Sequence, residues 1–363
     1  MKVALLLDGA AAYAANPDRL IIGTAEDIER SLVAEGNTVT WIPVYQDGKW
    51  IDKIRRGKFD LAFNMCEGID GIATLESSVI SVLELFKIPF TGASSYTTSI
   101  CLRKPLINAI LEKSGLPIPR FATISRGDPL VSVGFPAIVK PAAEDASLGV
   151  EQRSVVRNTR QLAERVEAML ELWTDVIVQR YIDGREVNVG ILGDTVLPIS
   201  EIDFRKTPPG RWRIVTYKSK WVTGSEDDLA AVPRCPAKMP VKVANEVRRV
   251  AAAAWKMVGG FGYGRVDMRI DHDGRPWILE VNANPDIMHN AGFATMAQVA
   301  GLEYAALIRS ICELGLGRSR ATVERENWAL VNKLSGLEPE PTELDLFGDV
   351  GSAFSPTSTS EPN

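Results

Sequence analysis

The sequence predicts an α/β chain that begins with a parallel sheet and continues into α+β units. Three observations carry this. Short apolar strands alternate with helix-length amphipathic stretches through the N-terminal part, which favours a parallel sheet covered on both faces. Further along, Gly264 to Asn284 reads as an antiparallel hairpin turning at Asp273-Gly274. The chain has 363 residues, enough for two or three packed units rather than one core.

The elements follow in order. Lys2 to Leu7 is a short apolar strand. MKVALLLDGAAAY pairs a lysine with an apolar run, as a signal peptide does. The run is only about five residues long before Asp8 and reads better as a first buried strand. Thr24 to Ala34 has helical spacing, with Thr24 as N-cap. Thr38 to Ile42 and Asp60 to Met65 read as strands and Leu75 to Phe86 as a helix, and the first unit ends near Gly92. A helix from Ser99 to Ser114 is broken by Gly115-Leu-Pro-Ile-Pro119. Strands at Ala137 to Lys140 and Val176 to Arg180 flank a helix at Thr159 to Leu172. Strands at Val187 to Ile191 and Val196 to Ile202 precede a long helix, Val241 to Val258, and a last helix spans Ala294 to Leu314. From Leu334 the chain is rich in Pro, Ser, Thr, Glu and Asp, and disorder is expected. There is no internal repeat.

Composition excludes several classes. The chain is 45% apolar and 24% charged, ordinary for a globular enzyme. A net charge of -5 argues against nonspecific nucleic-acid binding. No apolar run reaches the roughly 20 residues of a membrane span. Cys66, Cys101, Cys235 and Cys312 are scattered without a C-x-x-C pair, as reduced thiols of a cytoplasmic protein would be. His272 and His289 are the only histidines, which argues against a His-rich metal site or a Ser-His-Asp triad.

The most informative stretch is Gly264 to Asn284, GRVDMRIDHDGRPWILEVNAN. Val266, Met268 and Ile270 alternate with Arg265, Asp267 and Arg269; Trp277, Leu279 and Val281 alternate with Ile278, Glu280 and Asn282. Asp273-Gly274 is a two-residue turn signal. Counting out from that tip, His272 faces Arg275, Asp267 faces Glu280 and Arg265 faces Asn282. Paired positions share a face, with Cβ atoms roughly 5 Å apart. Two carboxylates that close call for a positive charge between them, and oxygen ligands at that spacing suit Mg²⁺ with substrate phosphates. The plainer alternative is a solvated, charged hairpin face.

Two further stretches carry chemistry. In Phe135 to Val150, FPAIVKPAAEDASLGV, a strand ends at Lys140-Pro141 and a loop of small residues follows, including Ala146, Ser147 and Gly149. Small residues let backbone N–H groups approach phosphate oxygens, and a strand-borne lysine supplies a point charge. The G-x-x-x-x-G-K-[ST] pattern is absent. By itself, a lysine after a strand is usually a strand-end solubiliser. In Val176 to Leu192 two apolar strands meet at Asp183-Gly184.

Together, R-x-D on one strand and E-x-N-x-N-P on the next resemble the metal end of an ATP-grasp ligase, of the D-alanine–D-alanine ligase group. Matching segments run from roughly Val3 to Leu316. The resemblance implies an ATP-grasp architecture: a Rossmann-like substrate domain (1–97), a central subdomain (98–186), a C-terminal subdomain with the metal site (187–322), and an extension (323–363). It implies that Asp267, Glu280 and Asn282 hold two Mg²⁺ ions, with Mn²⁺ as an alternative. Lys104 and Lys140 would bind ATP phosphates under a loop containing Ser147 and Gly149. Gln179, Arg180, Tyr181 and Ile182 would meet adenine and Glu186 the ribose. The family commonly has an acid where Gln179 stands; a glutamine also offers an acceptor. Arg265 would stabilise the tetrahedral intermediate, Lys220 would lie on a closing loop, and Asn284 and Asp286 would meet substrate. The implied partners are small-molecule carboxylate and amine substrates, with neither nucleic acid nor membrane, and a homodimer by the same resemblance.

The departures concern the substrates. The family's Glu–Ser–Tyr set, which binds the first amino acid and locks the loop, meets Ala146 at the serine and Trp221 at the tyrosine. Alanine has no polar side-chain atom and indole only donates, so neither completes that hydrogen-bond chain. The glutamate aligns loosely with Asp18 or Glu26. The family's H-G-x-x-G-E-D-G is here Asn64-Met-Cys-Glu-Gly-Ile-Asp-Gly71, and N-T-x-P-G-M is Asn282-Ala-Asn-Pro-Asp-Ile287. A serine that grips the acceptor falls near Gly292 or Phe293. The expectation is an ATP-dependent carboxylate–amine ligase on amino acids or peptide-like metabolites, with an altered first-substrate site. Authentic D-alanine–D-alanine ligation, another acylphosphate outcome, and a non-catalytic ATP-binding protein remain as alternatives. Asp286 is open between contacting a cationic acceptor and capping the following segment.

Overall fold

The computed structural model describes residues 1–10 and 19–318, and of Arg19 and Leu20 only the backbone. Asp18 and the tail from Leu334 lie outside the described residues.

Three sheets organise the chain. The first is parallel, from β1 (Lys2–Asp8), β2 (Thr38–Val44) and β3 (Leu61–Asn64), in the order β2-β1-β3. Alternation along β1 feeds two cores. Val3 and Leu5 pack with α1 (Arg19–Ala34), while Ala4 and Leu6 pack with α2 (Lys49–Gly57) and α3 (Glu76–Leu85). The predicted sheet with helices on both faces is therefore present. Thr24 is not an N-cap: it is buried inside α1, because Ile21, Ala25, Ile28 and Leu32 extend the apolar stripe back past it.

The predicted helix from Ser99 to Ser114 is two helices, α4 (Ser95–Leu102) and α5 (Lys104–Lys113), parted at Arg103 with ψ 87°. Pro105 sits in the first turn of α5, where its missing N–H is harmless; in a continuous helix it would break a bond and clash.

The second sheet is antiparallel. β4 (Phe121–Ser125), β5 (Ala137–Pro141), β6 (Val155–Val156) and β7 (Asp175–Arg180) lie in the order β4-β7-β5-β6. Helix α6 (Thr159–Leu170) covers it through Leu162, Val166 and Met169, and its N-cap Asn158 accepts from Gln161 N at 3.0 Å.

The third sheet holds β8 (Arg185–Leu192), β9 (Thr195–Val196), β10 (Ser200–Asp203), β11 (Val232–Arg234), β12 (Tyr263–Ile270) and β13 (Pro276–Asn282), with order β11-β10-β8-β12-β13 and β9 on β8. Pro198, which cannot donate to a ladder, divides the predicted strand from Val196 to Ile202 into β9 and β10. Short helices α7 (Tyr217–Trp221) and α8 (Glu226–Ala230) precede β11. Helix α9 (Val241–Met257) backs the sheet, its Val247, Val250 and Ala254 in one core with Val187, Val266 and Met268. A Cβ at Gly264 would fall 2.4 Å from the Trp255 ring, so only glycine allows this approach. The predicted last helix divides into α10 (Gly292–Val299) and α11 (Tyr304–Gly317) near Gly301, whose φ of +91° ends a helix readily. Among the described residues no helix is long and apolar enough to cross a membrane.

The β12–β13 hairpin keeps the predicted pairing at its base and changes it at its tip. Asp267 pairs with Glu280 and Arg265 with Asn282. Beyond Asp267 the register shifts, and Met268 faces Ile278, Arg269 faces Trp277 and Ile270 faces Pro276. His272 does not face Arg275; Asp271 N donates to Arg275 O at 3.0 Å around a three-residue tip. A bulge at Leu279 absorbs the extra residue. It turns Ile278 into the core, frees Leu279 for the cavity described next, and lets Trp277 Nε1 donate to Asp271 at 2.8 Å.

Candidate active site

The second and third sheets and the loops above them enclose a cavity of ≈ 500 Å³. Every sequence-predicted site residue except Gly149 lines it. Gly149 has φ +72°, and a Cβ there would meet Trp173 at 2.7 Å; it shapes the loop rather than the wall.

The acidic end is built by register. β8 and β12 place Asn188 opposite Asp267 and Glu186 opposite Arg269, and β13 adds Glu280 and Asn282. Asp267 is held on both oxygens: Arg265 Nε donates to Oδ1 at 2.7 Å and Nη2 to Oδ2 at 2.8 Å, and Asn188 Nδ2 reaches Oδ1 at 2.7 Å. Burial opposes the Arg265 charge, but Asp267 outweighs it and the guanidinium pKa is raised. Lys104 Nζ stands 3.2 Å from Glu280 Oε1 and also donates to Glu144 O. Burial works against Glu280 ionising, yet Lys104, a hydrogen bond from Asp145, Lys140 and Lys220 hold it down to about 2. Burial and the Glu280 charge push Asp145 the other way. Burial also lowers the Lys140 pKa.

Among the described residues, no three His, Cys, Asp or Glu side chains are placed to hold a metal alone. Two carboxylates and the Asn282 amide are nonetheless an all-oxygen set, and cations already stand against both acids. That set fits a hard divalent ion whose shell substrate phosphates complete.

The loop over this end is latched. Trp221 Nε1 donates to the backbone carbonyl of Ala146 at 3.1 Å. Alanine offers no polar side-chain atom here, and the indole donates to the backbone instead.

At the other end, Gln179 is 2% exposed, and among the described residues its Nε2 has no hydrogen-bond partner. Tyr181 and Ile182 lead into the turn at Gly184, where a Cβ would fall 2.0 Å from Ile270 O. Glu186 is bound by Arg269, which is 2% exposed.

Of the two predicted substrate residues, Asn284 is fully engaged. Its Nδ2 donates to Cys66 O at 3.0 Å and Glu76 Oε1 at 3.1 Å, and its Oδ1 accepts from Tyr263 OH at 3.1 Å. It braces the segment after β13 against the loop at Cys66 and the start of α3. Asp286 caps the next turn, accepting from Met288 N at 2.8 Å, and is exposed. Glu67 joins this wall; it is open to the cavity yet ringed by protein, and burial, Asp286 and Asp145 push its carboxyl up to about 7.

Sequence reasoning gave no role to Asn188, Arg269, Glu67, Asp145 or Leu279. Asn188 and Arg269 were findable: each lies two residues from an assigned residue on the same strand face. Leu279 was not, because its direction depends on the bulge.

A family model described as the D-ala D-ala ligase C-terminus matches residues 110–313. The chain is 30% identical over 263 residues to a D-alanine--D-alanine ligase of Dechloromonas aromatica, covering 70% of this chain and 81% of that protein. It is 26% identical over 331 residues to one from Pelotomaculum thermopropionicum, covering 87% and 97%. An uncharacterized protein of Sinorhizobium fredii is 30% identical over 259 residues, covering 70% and 74%. The crystal structure of D-alanine--D-alanine ligase from Bacillus anthracis complexed with ATP superposes with a TM-score of 0.71 at 22% identity, covering 90% of this chain and 99% of that one.

Proposed function

From a chain that belongs to the D-alanine–D-alanine ligase family, and so is an ATP-grasp ligase forming carbon–nitrogen bonds, we propose an enzyme that joins a carboxylate to an amine through an acylphosphate. The substrates are amino acids or peptide-like metabolites, and the first-substrate site is altered from that of D-alanine–D-alanine ligases. The observation that carries this is the juxtaposition of Lys104, Lys140, Asp267, Glu280 and Arg265 around one cavity.

Lys104 and Lys140 bind the ATP phosphates, and Gln179 to Ile182 with Glu186 hold the nucleoside. The substrate carboxylate attacks the γ-phosphorus, forming an acylphosphate and releasing ADP. The amine attacks the acyl carbon, loses a proton, and expels phosphate as the amide forms. Positioning and electrostatics supply most of such catalysis. Arg265, held cationic beside Asp267, faces the oxyanion formed on amine attack. The Trp221–Ala146 bond keeps Lys220 and its loop over the acylphosphate and excludes water. Mg²⁺ held by Asp267, Glu280 and Asn282, as two ions in this reading, supplies charge neutralisation at the phosphates.

Residues 98–186 and 187–322 clasp ATP, and residues 1–97 supply substrate contacts. Ala146, Trp221, Glu67 and Asp286 support the altered substrate site. The free thiols of Cys66, Cys101, Cys235 and Cys312 support a cytoplasmic enzyme. A homodimer is part of the same reading, checked by sedimentation.

The relatives' names favour a second reading, ligation of D-alanine to itself. One assay separates the two: ADP and phosphate release with Mg·ATP across D- and L-amino acids, singly and in pairs, with mass spectrometry of the products. A condensation mass from one unlike pair supports the altered site. Full release with D-alanine alone at low millimolar concentration overturns it.

A further inference from the structure

Arg269 makes five hydrogen bonds with five N–H groups. Its Nε and Nη2 donate to Glu186 Oε2 at 3.1 and 2.7 Å. Its Nη1 donates to Tyr181 OH and to Ile182 O, each at 3.0 Å, and the second Nη2 proton goes to Arg213 O. A guanidinium has five donors in a rigid fork, so every one is engaged. The ring of Tyr181 lies 5.0 Å from its Cζ and that of Phe204 5.7 Å. The group is 2% exposed and lines the cavity. All its bonds to Glu186 fall on Oε2, and none reaches Oε1.

We propose that Arg269 is the positioning residue of the nucleoside subsite: it fixes the Glu186 carboxylate so that Oε1 accepts from the ribose hydroxyls, and locks the Tyr181–Ile182 segment beside the base. This rests on the reading of the cavity as a nucleotide site. Its place on the cavity wall and its bonds to both the Glu186 carboxylate and the neighbouring Ile182 carbonyl tie it to this subsite.

The test is calorimetric titration of the full chain with Mg·ADP and with Mg·2′,3′-dideoxyADP. Wild type prefers ADP by about tenfold or more, the worth of a charge-assisted hydrogen bond. In Arg269→Lys, which keeps the charge and loses the fork, that preference falls to within about threefold. A purely structural role weakens both ligands equally and leaves the preference intact, and that result overturns the proposal. Should Arg269→Lys not fold, Arg269→Gln is made in a Glu186→Gln background, which leaves no unpaired carboxylate. If Arg269 acts through Glu186, the second change costs no further selectivity; an additional loss overturns the idea. If wild type binds neither nucleotide, the nucleotide reading fails instead; if it binds both equally, the ribose role of Glu186 fails and this proposal with it.

Discussion

The Trp221 indole donates to the Ala146 carbonyl at 3.1 Å, and this bond joins the short helix carrying Lys220 to the loop that follows β5. A backbone oxygen does not depend on which substrate is bound. The bond is therefore one the protein makes by itself, and Trp221→Phe isolates its effect. The expected outcome is a two- to tenfold rise in the ATP KM, the worth of about one neutral hydrogen bond, with faster proteolytic cleavage between residues 216 and 231. An unchanged cleavage rate would show that the bond does not hold the loop.

Asp267 and Glu280 stand opposite each other and engage Arg265 and Lys104 respectively. Asp267→Ala and Glu280→Ala should each lose essentially all turnover while the circular dichroism spectrum stays that of wild type. Retained activity in either would refute the metal assignment.

A nucleotide role for Gln179 can be separated from a structural one. Its buried Nε2 finds no partner among the described residues, and leaving such a group unsatisfied costs about 1–3 kcal/mol. Gln179→Leu should raise the denaturation midpoint of the ligand-free protein and weaken Mg·ADP binding. If both move the same way, the side chain does not serve the nucleotide.

Glu67 gives a pH dependence. Burial, Asp286 and Asp145 raise its carboxyl to about 7, against Lys220 and Arg265. Below that value it is neutral; above it, it is anionic and attracts an ammonium group. For a cationic acceptor kcat/KM should rise with pH through about 7, and Glu67→Gln should remove that limb. Persistence of the limb in the variant assigns it elsewhere. The same sign makes ionised Glu67 a cost to folding, absent below the unfolded carboxyl pKa and growing toward neutral pH.

Much of the site was legible in the sequence because alternation holds along β12 and from Glu280 to Asn282 on β13. Arg265, Asp267, Glu280 and Asn282 occupy the predicted face, although the tip register from which they were counted was wrong. The three-residue tip and the bulge cancel, which no local pattern announces. Glu186 stands out only by resemblance; alternation places its partner Arg269 on the face of Asp267, two residues along, but no local signal separates it from any other alternating charge. Helix ends were lost where proline or glycine acts, at Pro105 and Gly301, and the strand division at Pro198 was lost the same way. Phe121–Ser125 and Val232–Arg234 lacked a pattern strong enough to read, since tertiary pairing rather than propensity makes them strands.

The bulge at Leu279 gives the hairpin its own slack. The half beyond it and the half below it keep separate registers, so a change of length at His272–Gly274 need not travel down to the carboxylates. That tip is a handle on which a label or a short insert can ride while the chemistry beneath keeps its spacing.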